Sequence, residues 1–274
     1  MNLSFIEPRN ELKPYIKSIW IFESMFGMPV HDMNLAAPNG CPKLIINYEN
    51  NIISLVEGRA NESRECGIYF SGIRDIPVHI STSQKKTGFI GIEFLPYGAY
   101  PILGIPMVET ANHLFTIEEL LGQFGRNLRE GLYNLENTSD KINFAQATMV
   151  EMLCKKQLQS NIVKYCVDAL KQTNGLLTLS ELERKTGYSR RYLEMLFKDH
   201  VGFSPKAIAG IFRFQKFYGK WAKGKSFNEL KEELNNYYFD QAHFSKEFKR
   251  MTGFSPLQFT SEISNEFGRR LALH

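Results

Sequence analysis

The chain has 274 residues, of which 43% are apolar, and this composition predicts packed domains and excludes a disordered chain. No apolar run reaches the ~20 residues that cross a bilayer, and the start lacks the features of a secretory signal, so we expect a cytoplasmic protein with no membrane partner. Residues 161–274 hold 19 Lys and Arg against 12 Asp and Glu, whereas residues 1–160 hold 14 against 17. The basic C-terminal part favours a nucleic-acid-binding module attached to a different domain.

Residues 1–110 consist of short apolar runs separated by Gly and Pro. This pattern is typical of a compact β-rich domain such as a small barrel. The candidate strands span residues 16–22, 43–48, 52–56, 68–71, 78–80 and 87–95.

The last candidate strand carries a carboxylate among apolar neighbours. Strand alternation places Phe89, Gly91 and Glu93 on one face. Inside a barrel, Glu93 would orient a bound ligand, and Trp20 and Tyr48 would line the cavity. The alternative, which the rarity of unpaired buried charges favours, is that Glu93 faces water and the two aromatic residues belong to the core.

Residue types that carry catalysis or bind metals are scattered along the chain. The four cysteines form no C-x-x-C pair and are expected to be free thiols. No nucleotide-binding or zinc-protease motif occurs, and the six histidines are dispersed. A cupin-like enzyme would need His and carboxylate ligands in a cluster. We therefore expect no metal, no cofactor and no enzymatic activity.

From about residue 113 the apolar residues recur at helical spacing. Two helices are predicted, with apolar positions Leu114, Ile117, Leu121, Phe124 and Leu128 in the first and Ile142, Ala145, Met149, Met152 and Leu153 in the second. Residues 131–140 are predicted to form the loop between them, with Asp140 as the cap of the second helix. The linker near 154–160 has no Gly or Pro, so helix is expected to continue through it. We predict one domain over residues 1–158 and a second over 159–274.

The C-terminal part contains an internal repeat. The tetrapeptide Gly-Phe-Ser-Pro at 202–205 recurs at 253–256, an offset of 51 residues. Phe-Lys at 197–198 recurs at 248–249 with the same offset, and Ser189 corresponds to Asp240. A shared offset at several positions indicates two copies of one supersecondary unit.

Each copy follows the pattern of a helix-turn-helix unit. In the first copy a short amphipathic helix ends at Gly187, where a tight turn needs positive φ, and Ser189 caps a second helix. In the second copy Asp240 is the cap, and Phe244 and Phe248 form the buried pair of the helix. A long helix after Ser-Pro at 204–205 connects the copies and could place the two capped helices about one DNA turn apart, roughly 34 Å. The predicted fold class is α+β, a β-rich domain with helices followed by an all-α domain with two such units.

The capped helices of both copies expose polar and basic faces. Such faces suit the major groove, where Arg, Lys and Gln read base edges or bind phosphates. The expected DNA-binding residues are Arg190, Arg191, Glu194, Lys198, Gln241, Ala242, His243, Lys246, Lys249 and Arg250. The alternative is that these are ordinary helices with solvated charged faces, but the repetition of the whole unit favours binding to double-stranded DNA.

Residues from about 165 to 262 resemble the DNA-binding domain of the AraC/XylS family of transcription regulators. The resemblance is strongest over residues 240–250, Asp-Gln-Ala-His-Phe-Ser-Lys-Glu-Phe-Lys-Arg, and over the repeated Gly-Phe-Ser-Pro. It implies a seven-helix domain whose two reading helices enter successive major grooves. It also implies RNA polymerase as a partner if the protein is an activator.

The N-terminal part resembles the sensor domains of one branch of the same family. The resemblance is carried by residues 15–20, Tyr-Ile-Lys-Ser-Ile-Trp, by residues 37–46, and by residues 94–106. It implies a domain that senses a small-molecule effector or pairs two copies of the chain, with the predicted helices near residue 113 and beyond as the homodimer contact. The alternative is that these helices only cover the β-rich domain, and the two roles are compatible. The ligand is unspecified by the resemblance.

The sequence departs from the family pattern in the first helix of each unit and in the second turn. Glu183, and Lys231 as the corresponding residue, stand where the family usually has Ala. The second unit has Asn235 and Asn236 instead of a turn glycine, and Asn can adopt left-handed backbone angles. These departures leave an alternative function, an interaction protein whose helix-turn-helix domain no longer reads DNA specifically.

Overall fold

The computed structural model describes residues 2–29, 31–56, 59–63, 66–82, 85–156, 161–225, 229–230, 234–261 and 264–273. Its N-terminal part consists of two β-sheets. The strands are β1 Asn2–Ile6, β2 Ile16–Ser24, β3 Leu35–Ala36, β4 Lys43–Glu49, β5 Ile52–Val56, β6 Arg59–Ser63, β7 Ile68–Ser71, β8 Val78–Thr82, β9 Thr87–Phe94 and β10 Leu114–Thr116. One sheet has the order β1-β2-β9-β4-β7-β10 and the other β3-β8-β5-β6.

Strand β9 lies at the centre of the larger sheet and is buried along its whole length. One face, with Ile90, Ile92 and Phe94, packs in an apolar cluster with the helices that follow the sheet. The other face, which includes Phe89, packs towards Ile52 of the smaller sheet. Burial on both faces explains why this strand is almost continuously apolar, as strands covered on two sides are.

All six predicted strands are present in the structure. The prediction missed β1, β3, β6 and β10, which are short, polar or at sheet edges. The described strands form two sheets, one of six strands and one of four, that face each other.

The helices begin within the β-rich part and form most of the C-terminal part. They are α1 Ala99–Leu103, α2 Ile117–Leu121, α3 Gln123–Tyr133, α4 Thr138–Lys156, α5 Asn161–Gln172, α6 Leu179–Thr186, α7 Arg190–Val201, α8 Pro205–Ala222, α9 Gln241–Thr252, α10 Pro256–Ser261 and α11 Glu266–Ala272. Short 3-10 helices cover Met107–Thr110 and Leu234–Asn236. The β-rich N-terminal and helical C-terminal parts confirm the predicted fold class.

The first predicted helix after the sheets was wrong in its extent. Leu114 is part of strand β10 and pairs with Ser71, so the helix starts only after Thr116, which caps α2 with a capping box. Gly122, at φ 56°, then separates α2 from α3. The predicted cap Asp140 is also wrong, because α4 begins at Thr138 and places Asp140 in its first turn.

The helical part is built around α8, whose residues Ile208, Ile211 and Phe214 are fully buried. The apolar cluster around this helix extends to Leu35 and Ile73 of the β-rich part, so the two parts of the chain share a core. The predicted domain boundary at residues 158 and 159 and the centre of the predicted linker helix lie outside the described residues.

Candidate DNA-binding surface and effector cavity

The first helix-turn-helix unit consists of α6, a glycine turn and α7. Thr178 caps α6 through a capping box with Glu181, and α6 ends at Gly187, which has a φ of 73°. The Ser189 side chain then accepts a hydrogen bond from the backbone N–H of Tyr192 and caps α7. Leu193 lies on the buried face of α7, so the opposite face is left for solvent or a partner.

Glu183, which departs from the family pattern, has a defined role in this unit. Its carboxylate Oε1 accepts a hydrogen bond of 2.6 Å from the backbone N–H of Arg190, the first residue of α7. The side chain therefore satisfies a free N–H at the start of the helix, and its negative charge is favourable there. The Glu183 carboxylate therefore links α6 to the start of α7.

The second unit positions α9 in the same way. The Asp240 side chain accepts a hydrogen bond of 2.7 Å from the backbone N–H of His243, and Phe244 and Phe248 are buried beneath the helix. Asn235 and Asn236 belong to the 3-10 helix Leu234–Asn236, and neither residue has a positive φ, so neither replaces the turn glycine through a left-handed conformation. Lys231 lies outside the described residues.

Most of the predicted DNA-binding side chains lie on exposed positions of α7 and α9. The exposed residues are Arg190, Arg191, Lys198, Gln241, Ala242, His243, Lys246, Lys249 and Arg250, and Glu194 is half-buried. Two of the arginines have acidic partners. Arg190 Nε lies 3.1 Å from Glu194, and Arg250 Nη1 lies 2.7 Å from Asp75 of the β-rich part.

An exposed aromatic residue precedes the cap of each capped helix, which the sequence reasoning missed. Tyr188 is 45% exposed and Phe239 is 93% exposed. The two positions are separated by the repeat offset of 51, so applying the offset to every residue of the unit would have found them. They extend the exposed surface at the N-terminal ends of α7 and α9.

A buried charged residue of α9 faces the connecting helix. Glu247 lies on the buried face of α9, with its Oε1 atom 3.6 Å from Arg213 of α8 and 3.9 Å from Arg250. Gly210 leaves room for this carboxylate, because a Cβ atom there would be 2.4 Å from Glu247 Oε1. The pair of Glu247 and Arg213 ties α9 to the helix that connects the two units.

A cavity of about 130 Å³ lies between the two sheets of the β-rich part. Its apolar wall includes Trp20, Ile45 and Phe89. Lys43 and Arg74 contribute charged groups to the same wall. A concave, mainly apolar site with a few polar groups is the usual form of a small-molecule site.

The C-terminal helix α11 closes one side of this cavity with Phe267 and Leu271. Asp32 of the β-rich part fixes the helix, because its Oδ1 atom accepts a hydrogen bond of 2.7 Å from Glu266 N. Asn265 adds hydrogen bonds to both backbone groups of Leu35 in β3. The last described helix of the helical C-terminal part is therefore also a wall of the cavity.

The structure does not bring the three predicted ligand-binding side chains together. Trp20 lines the cavity, whereas Tyr48 lies outside its wall and donates a hydrogen bond to Glu23. Glu93 lines a smaller adjoining cavity of about 50 Å³. The expectation that Glu93 faces water is wrong, since only 5% of the residue is exposed.

Glu93 is buried because cationic and polar partners surround its carboxylate. Lys17 Nζ lies 2.7 Å from Oε1, and Asn39 Nδ2 and Lys43 Nζ lie 3.1 Å and 3.6 Å from Oε2. Burial opposes ionisation, but the two lysine charges and the hydrogen bonds outweigh it and hold the pKa of Glu93 at about 2. Its role in the fold is to pair with two lysines between the strands.

No group of three His, Cys, Asp or Glu among the described residues could hold a metal ion. Cys41, Cys66 and Cys166 form no disulfide bond, and the side chain of Cys154 is not among those that the structure describes. None of the described helices has the length and apolar character to cross a membrane.

Two protein families match separate parts of the chain. A family described as a helix-turn-helix domain matches residues 182–262, and a domain of unknown function, DUF6597, matches residues 4–116. No curated protein matches the chain. The first match confirms the AraC-type domain predicted from the duplicated motif.

Solved structures with a similar arrangement have very different sequences. ToxT from Vibrio cholerae is 11% identical, with a TM-score of 0.45 over 88% of this chain and 97% of that one. ToxT from Vibrio cholerae with an unsaturated fatty acid bound is 8% identical, with a TM-score of 0.45 over 90% and 98%. A cupin superfamily protein from Desulfitobacterium hafniense is 8% identical, with a TM-score of 0.27 over 34% and 76%.

The duplicated units and the family match together define the class of this protein. It is a protein with an AraC-type helix-turn-helix domain over residues 182–262. A β-rich domain with an internal cavity precedes that domain.

Proposed function

We propose that this protein binds double-stranded DNA sequence-specifically and changes its DNA binding when a small-molecule effector occupies the cavity between the sheets. The observation that carries the proposal is the pair of capped helices, α7 and α9, in repeated units. Each helix has its apolar face buried and its basic and polar face exposed. This is the layout in which a recognition helix enters a major groove.

The free cations of the two exposed faces support DNA binding by both units. Arg191 on α7 and Lys246 on α9 are exposed, and no acidic side chain lies within ion-pair distance of either among the described residues. Both are therefore available to phosphates or guanine edges. The start of each helix also carries partial positive charge, which favours a nearby phosphate.

The effector half of the proposal is supported by the place of the cavity. It is enclosed by both sheets and by α11, the last described helix of the DNA-binding part. A ligand in contact with this wall would have different affinities for arrangements in which α11 is docked or displaced. Such a difference is what allows a ligand to shift a conformational equilibrium.

The test is selection of DNA by the purified full chain. The protein is mixed with random duplexes at near-physiological salt, and the bound fraction is sequenced. We expect an enriched site with two elements about one helical turn apart, roughly 10 base pairs. Binding without enrichment of any sequence, or DNA binding that is insensitive to salt, would instead support an interaction protein that no longer reads DNA.

Variants of single cations test the assignment of the two helices. On the selected site we expect Arg191→Ala and Lys246→Ala each to weaken binding roughly fivefold or more. Lys85→Ala is the matched control, since it removes one exposed positive charge in the β-rich part. If all three variants bind as the wild type does, the exposed faces of α7 and α9 are not the reading surface.

A further inference from the structure

The wall of the cavity between the sheets has an unusual charge composition. Its described lining residues include two cations, Lys43 and Arg74, and no Asp or Glu. The charge of Lys43 is balanced from behind by Glu93, at 3.6 Å, and its ammonium group donates hydrogen bonds to Asn39 and to the Cys41 carbonyl. Lys43 is therefore a structural cation.

Arg74 has no such compensation. Its Nε atom donates to Ser71 Oγ at 3.0 Å and its Nη1 atom to the carbonyl of Asn112 at 2.9 Å. No carboxylate within 4.0 Å pairs with Arg74 in the part of the chain that the structure describes, and Nη2 has no hydrogen-bond partner there. Burial lowers the pKa of Arg74, and no acidic neighbour counteracts it. A partly buried guanidinium without a counter-ion is costly, so an anion at this point would be strongly favoured.

A second buried donor in the same wall lacks an acceptor. Trp20 is almost completely buried, and its indole N–H has no hydrogen-bond partner. Buried polar groups are usually paired, and an unpaired one at a cavity wall indicates a missing partner. An oxygen acceptor on a ligand in the cavity would satisfy the indole N–H of Trp20, and an acid group would compensate the charge of Arg74.

The size of the cavity limits the ligand. A dry apolar cavity of about 150 Å³ holds one benzene ring. The cavity of about 130 Å³ is of similar size, and Trp20, Ile45 and Phe89 supply the apolar contacts for a ring or a short branched chain.

The loop that carries Arg74 also holds the recognition helix of the second unit. The next residue, Asp75, is the partner of Arg250 on α9, with Oδ2 at 2.7 Å from Nη1. Asn112 binds both neighbours: its carbonyl accepts from Arg74, and its side chain exchanges two hydrogen bonds with Asp75. Gly72 allows the segment of Asn112 to approach this loop closely, because a Cβ atom at Gly72 would lie 2.1 Å from the Thr110 carbonyl. A shift of Arg74 towards a ligand therefore acts directly on the residue that holds Arg250.

We propose that the cavity binds a compact organic anion, with its acid group on Arg74, and that the Arg74–Asp75 loop transmits its binding to Arg250 on α9. The ligand class stands on the cavity alone, whereas the coupling rests on the proposed DNA-binding function.

Ligand binding is tested without DNA, by calorimetry and thermal shift on the full chain. The probes are benzoate, 4-isopropylbenzoate and 1-naphthoate, each compared with its neutral carboxamide. We expect at least one carboxylate to bind and to raise the melting temperature, with its amide weaker by about tenfold or more, because a charge-assisted hydrogen bond is lost.

Two variants of Arg74 test whether ligand binding depends on its positive charge and not on a change in folding. Arg74→Met should lose the preference for the acid over the amide, whereas Arg74→Lys should retain most of it. Both should be folded, with a cooperative thermal transition in the absence of ligand. The proposed anion site would be overturned if no carboxylate binds, if acids and amides bind equally, or if Arg74→Met binds the acids as the wild type does.

The coupling is tested on the DNA duplex selected by the protein. In the wild type, a saturating carboxylate should change the Kd for DNA by about fivefold or more, a coupling typical of allosteric sites. In Asp75→Asn, which binds the ligand but holds Arg250 weakly, this change should largely disappear. If the ligand effect is the same in the wild type and in Asp75→Asn, the coupling through this loop is refuted. If the protein binds the carboxylate but no DNA, the proposed DNA-binding function fails, whereas the proposed anion site is retained.

Discussion

Replacement of the buried carboxylate between the sheets gives the most quantitative prediction. Glu93→Gln removes the negative charge that lies 2.7 Å from Lys17 and 3.6 Å from Lys43 but keeps the shape of the side chain. The pKa of Glu93 is about 2 in the folded protein, against an ordinary value of 4.5. At about 1.36 kcal/mol for each pKa unit, the ionised form adds roughly 3 kcal/mol to the free energy of unfolding at neutral pH.

The effect of Glu93 has a definite dependence on pH. Because the folded-state pKa is depressed, the stabilisation is complete above about 4.5 and is lost as the pH falls towards about 2. The difference between the wild type and Glu93→Gln should therefore be about 3 kcal/mol near pH 7 and less than half of that near pH 3.

The assay is urea unfolding followed by the fluorescence of Trp20, in a Trp221→Phe background that leaves one tryptophan in the chain. The matched control is Glu49→Gln, since Glu49 also lies 2.8 Å from a lysine, but it is half-buried and its partner Lys86 is exposed. That variant should cost less than about 1 kcal/mol. If Glu93→Gln and Glu49→Gln cost the same, or if the loss in Glu93→Gln does not shrink at low pH, the reasoning about the buried triad is refuted.

Three further predictions concern the joints between elements. Gly268→Ala places a Cβ atom 2.4 Å from a backbone oxygen of β3 and should destabilise the docking of α11 by about 1–3 kcal/mol in thermal unfolding. Gly219→Ala is the control, because its Cβ atom meets nothing within 4 Å, and it should be neutral or stabilising in the same assay. Burial lowers the pKa of His200, which lies against Tyr100, so the free energy of unfolding should fall as the pH drops below about 6.5. This fall should be smaller in His200→Asn. Equal falls in the two proteins would show that His200 does not cause the pH dependence. Gly187→Ala should cost about 1 kcal/mol because φ is 73°, and Gly187→Asn should cost less; equal costs would show that the turn is not limited by backbone angle.

The duplicated motif predicted the C-terminal part well because its signals are local. Ser189 and Asp240 cap their helices, and Gly187 makes the turn, each through contacts within a few residues. The apolar periodicity also placed the six main strands. Leu114 was misassigned because its helical spacing to later residues is accidental, and pairing with β7 decides its conformation.

The cavity and its connections were beyond the reach of sequence patterns. Nothing local indicates that Arg74 lines the cavity, that Asp75 pairs with Arg250 across 175 residues, or that Phe267 closes a cavity in the β-rich part. For Glu93, alternation correctly gave the face of the strand. Its lysine partners come from β2 and β4, so its burial depends on the register of three strands.

The most direct test of the central claim is a hydroxyl-radical footprint of the wild-type protein on its selected duplex. If α7 and α9 both read DNA, the footprint should show two protected stretches on one face of the duplex, about 10 base pairs apart. Lys246→Ala should weaken only one of them. A single protected stretch, or a footprint that Lys246→Ala leaves intact, would contradict the account of two reading helices.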